Sequence, residues 1–227
     1  MQFLRRLIFT LFCVSVSINL VYADNLILEP IPSKSISYLP VFVGGAKDNV
    51  IWQVARVTPS IGMLLKKCKG NKKCIISYME IHGASPQALA LYKASGGIVR
   101  AEKKLPMGVL LIAESLANFP ALYFVNSAGE LLDLQQLSWI RSFKNYTKLV
   151  SPNIIKRYPK AAVWPAYGSS AVSSQTFANG NEGLVVTYPV TQGCHACALI
   201  GWLRLAFVFD QAGKIKGYYV VDFKLKK

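Results

Sequence analysis

The sequence predicts an α+β fold, with short N-terminal helices packed on a mainly antiparallel C-terminal β-sheet. Apolar residues recur at helical spacing between positions 61 and 92, in segments that open on Thr-Pro or Ser-Pro and close on glycine. From position 121 onward they fall in short runs and alternations separated by Asn/Gly and Asp/Gly turns. Helices first and strands afterwards indicate segregated elements and not an alternating α/β arrangement. Of the 227 residues, 52% are hydrophobic and 16% charged, which excludes a disordered chain. Ordinary glycine and proline counts (16 and 11) exclude collagen-like and proline-rich architectures.

Residues 1–23 read as a secretory signal peptide. Arg5 and Arg6 precede an apolar run from Leu7 to Leu20, and Val21-Tyr22-Ala23 suits signal peptidase. The run, broken by Asn19, is shorter than the about 20 apolar residues that span a bilayer. Cleavage is therefore expected over retention as an anchor. Lipid attachment at Cys13 is disfavoured by the bulky Phe12 before it. Leu105 to Val125 is apolar-rich but is interrupted by Pro106, Glu114, Asn118 and Pro120, so no transmembrane span is expected after cleavage.

The mature chain is expected to be one domain, 24–227, with a helical part over about 50–118 and a strand-rich part over about 119–227. Asp24 to Gly45 carries Pro30, Pro32 and Pro40 and reads as an extended lead-in, with a short strand at Val41-Phe42-Val43. Thr58-Pro59 opens the first helix, and Ile61, Leu64, Leu65 and Cys68 form its apolar face. A second helix begins near Lys73, buries Ile75, Ile76 and Met79, and stops at Gly83. Ser85-Pro86 opens a third, which buries Ala88, Leu89, Leu91 and Tyr92 and ends at Gly96-Gly97. His82, at the second helix's C-terminus, suits the dipole there and is read as structural.

Ala121–Val125 and Glu130–Leu134 read as a hairpin around Asn126-Ser127-Ala128-Gly129. Trp139, Ile140 and Phe143 predict a short helix within Leu137–Lys148, and Ser151 to Ala178 reads as a long surface connection. Leu184–Val190 and Trp202–Phe209 are strands, and Asp210-Gln211-Ala212-Gly213 turns the chain into a last strand. Strict alternation there places Tyr218, Val220 and Asp222 on one face, with Tyr219, Val221 and Phe223 on the other.

Four of the 5 cysteines lie beyond the leader: Cys68, Cys74, Cys194 and Cys197. An even number in an oxidising compartment favours disulfides. Three pairings are possible; the local one, Cys68–Cys74 with Cys194–Cys197, needs no knowledge of the fold. Gly70 and Asn71 suit the turn that the first bond would close. Loop-closure entropy assigns such a bond roughly 2–3 kcal/mol. Cys194-His195-Ala196-Cys197 has the spacing of a dithiol redox centre, in which a histidine can stabilise a thiolate. Strand-like segments on both sides place it at a hairpin tip, whereas thioredoxin-like chemistry uses a strand-to-helix junction. A static clip is therefore the leading reading, with redox work or a metal or cofactor site as alternatives.

Zinc lacks a second cysteine knuckle, and covalent haem attachment fails because Ala198, not histidine, follows Cys197. No metal or cofactor is expected; non-covalent haem or metal at His195 or His82 stays open without support. Lys66, Lys67, Lys69, Lys72 and Lys73 form a basic cluster, read either as a solvated turn or as an anion-binding patch. Ser169-Ser170 and Ser173-Ser174 have no assigned base, and Glu80, Glu102, Glu114, Asp133, Asp210 and Asp222 show no pairing. Asn145-Tyr146-Thr147 matches a glycosylation sequon. No G-x-S-x-G, H-E-x-x-H, P-loop or G-x-G-x-x-G motif occurs.

The formal net charge is +15, and all 11 acidic residues lie beyond the leader. An exported cation meets lipid phosphates, anionic polysaccharides and wall carboxylates before nucleic acid, so no nucleic-acid partner is expected. The expectation is a periplasmic or secreted, disulfide-stabilised basic binding or accessory protein, its partner an anionic envelope component or another protein. The alternative is a thiol–disulfide oxidoreductase using Cys194, His195 and Cys197.

Overall fold

The computed structural model describes residues 28–43, 51–52, 61–114, 121–135, 151–166, 168–177 and 180–227. They form an α+β fold: of three successive helices that cluster together, the third packs on one face of a five-stranded antiparallel sheet, whose other face packs on a second antiparallel sheet.

The helices are α1 (Ile61–Lys67), α2 (Lys72–Ile81) and α3 (Pro86–Ser95). Their ends are set by local chemistry. The Asn71 side chain accepts a hydrogen bond from the Cys74 amide (3.2 Å), and Ser85 Oγ accepts one from the Ala88 amide (3.1 Å). Pro86 opens α3, and Gly96 closes it in the left-handed region at φ 74°, its amide donating to the Tyr92 carbonyl. Leu64, Cys68, Ile75, Met79, Ala88 and Tyr92 bury together with Trp52 and Ile98.

The first sheet consists of β1 (Ile36–Tyr38), β2 (Ile98–Leu105), β3 (Gly108–Glu114), β4 (Ala121–Asn126) and β5 (Glu130–Asp133), in the order β1-β5-β4-β3-β2. Central β4 is buried at every position because both its faces are covered. Val109, Leu111, Tyr123 and Val125 face Leu91, Leu39 and Phe42 on the helical side, and Leu110, Leu122 and Phe124 face the second sheet. That continuous apolar run is what burial on both faces demands.

After helix α4 (Pro152–Arg157), the second sheet is built from β6 (Ala161–Val163), β7 (Val172–Thr176), β8 (Glu182–Gln192), β9 (Leu199–Phe209) and β10 (Ile215–Leu225). Its order is β10-β9-β8-β6, and β7 pairs with β8 farther along the same edge. Leu184, Val186, Leu203, Leu205, Phe207 and Phe209 fill the space between the sheets, with Phe124 and Phe209 rings 5.1 Å apart. Glu130 ties the two layers: its Oε2 accepts hydrogen bonds from fully buried Asn126 (2.6 Å) and from the Ile215 amide on β10 (2.9 Å).

Several expectations are corrected. The helical part ends at Ser95, and residues 98–114 are the hairpin β2–β3. The α+β class itself holds, with the antiparallel strands divided into two sheets and α3 packed on the first of them. Val41–Val43 is no strand: Pro40–Phe42 forms a 3-10 turn directly after β1. Ser151 to Ala178 contains α4, β6 and β7, so it is not a structureless connection. A bulge between Val220 and Asp222 in β10 breaks the alternation. Phe223 thereby joins Tyr218 and Val220 against the inter-sheet core, and Asp222 pairs with Arg204. The leader, the Thr58-Pro59 cap, the Leu137–Lys148 helix and the sequon lie outside the described residues. Among the described residues, no helix is long and apolar enough to cross a membrane.

Candidate functional site

Both local cysteine pairs are disulfide-bonded, with Cα atoms 5.6 Å apart for Cys68–Cys74 and 5.0 Å for Cys194–Cys197. The first bond joins the end of α1 to the first turn of α2. Lys69 (φ 47°) and Gly70 (φ 74°) carry the chain through the left-handed region between them. Lys66, Lys67, Lys69, Lys72 and Lys73 are all exposed around this turn. Lys66 and Lys67 favour the C-terminal dipole of α1, whereas Lys72 and Lys73 oppose the N-terminal dipole of α2, whose first turn has no acid.

The second bond closes the tip of hairpin β8–β9. Thr191, buried although polar, donates through Oγ1 to the Cys194 carbonyl, and the Cys197 amide donates to the same oxygen. Gln192 N bonds the Ala198 carbonyl across the base of the tip (3.1 Å). Gly193 (φ 87°) lies in ordinary contact range of Lys160, just before β6: a Cβ there would be 3.4 Å away. Cys194 is exposed and Cys197 half-buried. The His195 ring packs edge-on to Trp164, 5.4 Å between centroids, and the buried Trp164 indole nitrogen has no hydrogen-bond partner among the described residues.

Pairing with β8 and β9 gathers cations around this tip from both sides. Ala161 opposes Gln192, which sets Lys160 beside Gly193 and brings Lys156 and Arg157, in the last turn of α4, to the same end. On the other side Lys224 opposes Trp202, Leu225 opposes Gly201, and the Lys226 amide donates to the Ile200 carbonyl (2.8 Å). Segments 151–166, 189–203 and 223–227 contain no acidic residue. The nearest along β10, Asp222, is held by Arg204 through paired hydrogen bonds, which raise the guanidinium pKa still further.

The remaining candidates are not brought together. The His82 ring lies tilted against Tyr78, 4.1 Å between centroids, and its carbonyl accepts from the Trp52 indole (3.2 Å), within the helical layer and away from the hairpin tip. Ser173 and Ser174 pair with Val185 and Leu184, toward the opposite end of β8 from His195. Asp210 accepts the Ala212 and Lys214 amides of its own turn, and Asp133 accepts the Gln135 amide. Burial pushes the phenols of Tyr123 and Tyr219 up to about 12, with Asp133 adding to the shift at Tyr123, so neither exchanges protons near neutral pH. Among the described residues, no group of three or more His, Cys, Asp or Glu side chains could hold a metal ion. An open cleft of about 290 Å³ at the far end of the sandwich is lined by Met107, Ser127, Asn181, Glu182, Asp210 and their neighbours.

Compared with protein families, curated proteins and solved structures, the chain finds no match. The sequence reading missed the cations of the hairpin end. Lys156-Arg157 with Lys160, and Lys224 with Lys226-Lys227, are visible as two basic runs, but only the strand pairing unites them.

Proposed function

We propose that this protein is an exported, disulfide-braced binding module that holds an anionic component of the cell envelope at the Cys194–Cys197 end of its second sheet. One observation carries the reading: Lys156, Arg157, Lys160, Lys224, Lys226 and Lys227, from two distant segments, converge on one end of that sheet, whose described segments 151–166, 189–203 and 223–227 contain no acidic residue. Like charges gathered at one end create a positive potential that an anionic partner relieves, and such a field raises association rates. The Cys194–Cys197 bond braces the tip between the two basic arms.

The test is retention on immobilised heparin, a soluble-polyanion mimic, over a salt series. The Lys160→Ser/Lys226→Ser/Lys227→Ser variant should elute at clearly lower salt than the unmodified protein. Unchanged elution contradicts the reading.

The exposure of Cys194 among cations favours a second reading, thiol–disulfide exchange, because nearby positive charge stabilises a thiolate. In that case the pair should equilibrate with a glutathione buffer near the compartment's poise. A structural bond resists reduction there.

A further inference from the structure

We infer that the anionic partner at this end is a lipid bilayer surface, met end-on by the β8–β9 tip and the C-terminal end of β10; this rests on the binding reading above. The cations are interleaved with exposed apolar side chains. Trp202 is 37% exposed and Leu225 46% exposed. The register sets Lys224 opposite Trp202 and Leu225 opposite Gly201, so Trp202 and Leu225 stand on opposite faces of the sheet, around its end.

A polymer lying along one sheet face would meet Trp202 or Leu225 but not both. A planar surface approached along the strand axes meets both, together with the lysines at the end of β10. The chemistry also fits the depth profile of a membrane interface. Tryptophan settles at the headgroup level, leucine enters the acyl boundary, and lysines lay their stems along apolar surface while their ammonium groups reach phosphate. Each cation close to an anionic bilayer strengthens partition by roughly five-fold. Gln192, Gly193 and Cys194 at the tip and Lys224 to Lys227 after it are exposed, so both arms of this end offer contact to a surface. The cleft with Glu182 and Asp210 lies at the other end of the sandwich, where it would not be repelled by anionic lipid.

The experiment is co-sedimentation of the whole protein with phosphatidylcholine vesicles, with and without phosphatidylglycerol, alongside heparin binding. All variants share one N-terminus, so differences between them read the hairpin end. Partition is expected onto the anionic vesicles, with a blue shift of tryptophan emission that disappears in Trp202→Phe. It should fall at least ten-fold in Lys224→Ser/Lys226→Ser/Lys227→Ser. Heparin binding that depends on those lysines, without lysine-dependent partition onto anionic vesicles, overturns the lipid inference and leaves the binding reading intact. Loss of neither on lysine replacement overturns both. Partition with no change in Trp202 emission also overturns end-on docking.

Discussion

Each of the two disulfides closes a short turn, between helices at Cys68–Cys74 and between strands at Cys194–Cys197, and each turn is surrounded by lysines. Their construction differs. At the first, Cys68 is 5% exposed and belongs to the helical core, and all five cations come from the turn itself and its flanking residues. At the second, the cysteines stand at the edge of the fold, and the cations arrive from α4, the β6 entry and the end of β10. The comparison separates two uses of a crosslink. The first holds a core contact. The second holds the shape of a surface.

The largest effect that would sharpen this contrast is on stability. Cys68→Ala/Cys74→Ala removes a bond that closes a short loop and also loosens packing around Leu64, Ile75 and Met79. A loss of about 3 kcal/mol is expected in a denaturant titration. Cys194→Ser/Cys197→Ser should cost about 2 kcal/mol or less, since β8 and β9 remain paired along eleven-residue strands. A larger loss at the hairpin than between the helices would break the contrast.

A smaller effect concerns the tip alone. Thr191→Val removes the hydroxyl donor to the Cys194 carbonyl, while the Cys197 amide still reaches that oxygen. About 1 kcal/mol is expected to be lost, read as a lower denaturation midpoint. The smallest effect has the opposite sign. Lys69 sits at φ 47°, a conformation that glycine adopts without a Cβ penalty. Lys69→Gly should raise stability by about 0.5 kcal/mol, checked against Lys66→Gly, which should lower it because Lys66 is helical.

Much of the local architecture was legible because its causes are local. Asn71, Ser85-Pro86 and Gly96 mark helix ends whatever lies around them, and the 126–129 and 210–213 turns announce their hairpins. Cys194–Cys197 at a strand-to-strand tip followed from its two apolar flanks. The hairpin β2–β3 was missed for a physical reason. Edge strand β2 carries Arg100, Glu102, Lys103 and Lys104, and β3 is a continuous apolar run that periodicity cannot distinguish from a buried helix. The division into two sheets, the bulge at Val221 and the union of the basic runs all depend on pairings between distant residues. The lysines around Cys68–Cys74 were found because they are neighbours in sequence; those of the hairpin end were not, because the fold assembles them.

We propose that the hairpin end, and not the helical turn, carries the anion-binding surface. Amide hydrogen exchange with and without phosphatidylglycerol-containing vesicles tests it directly. Slowed exchange confined to residues 156–164, 192–202 and 222–227 is the predicted result. Slowed exchange at residues 66–74 with none at the hairpin end would contradict it.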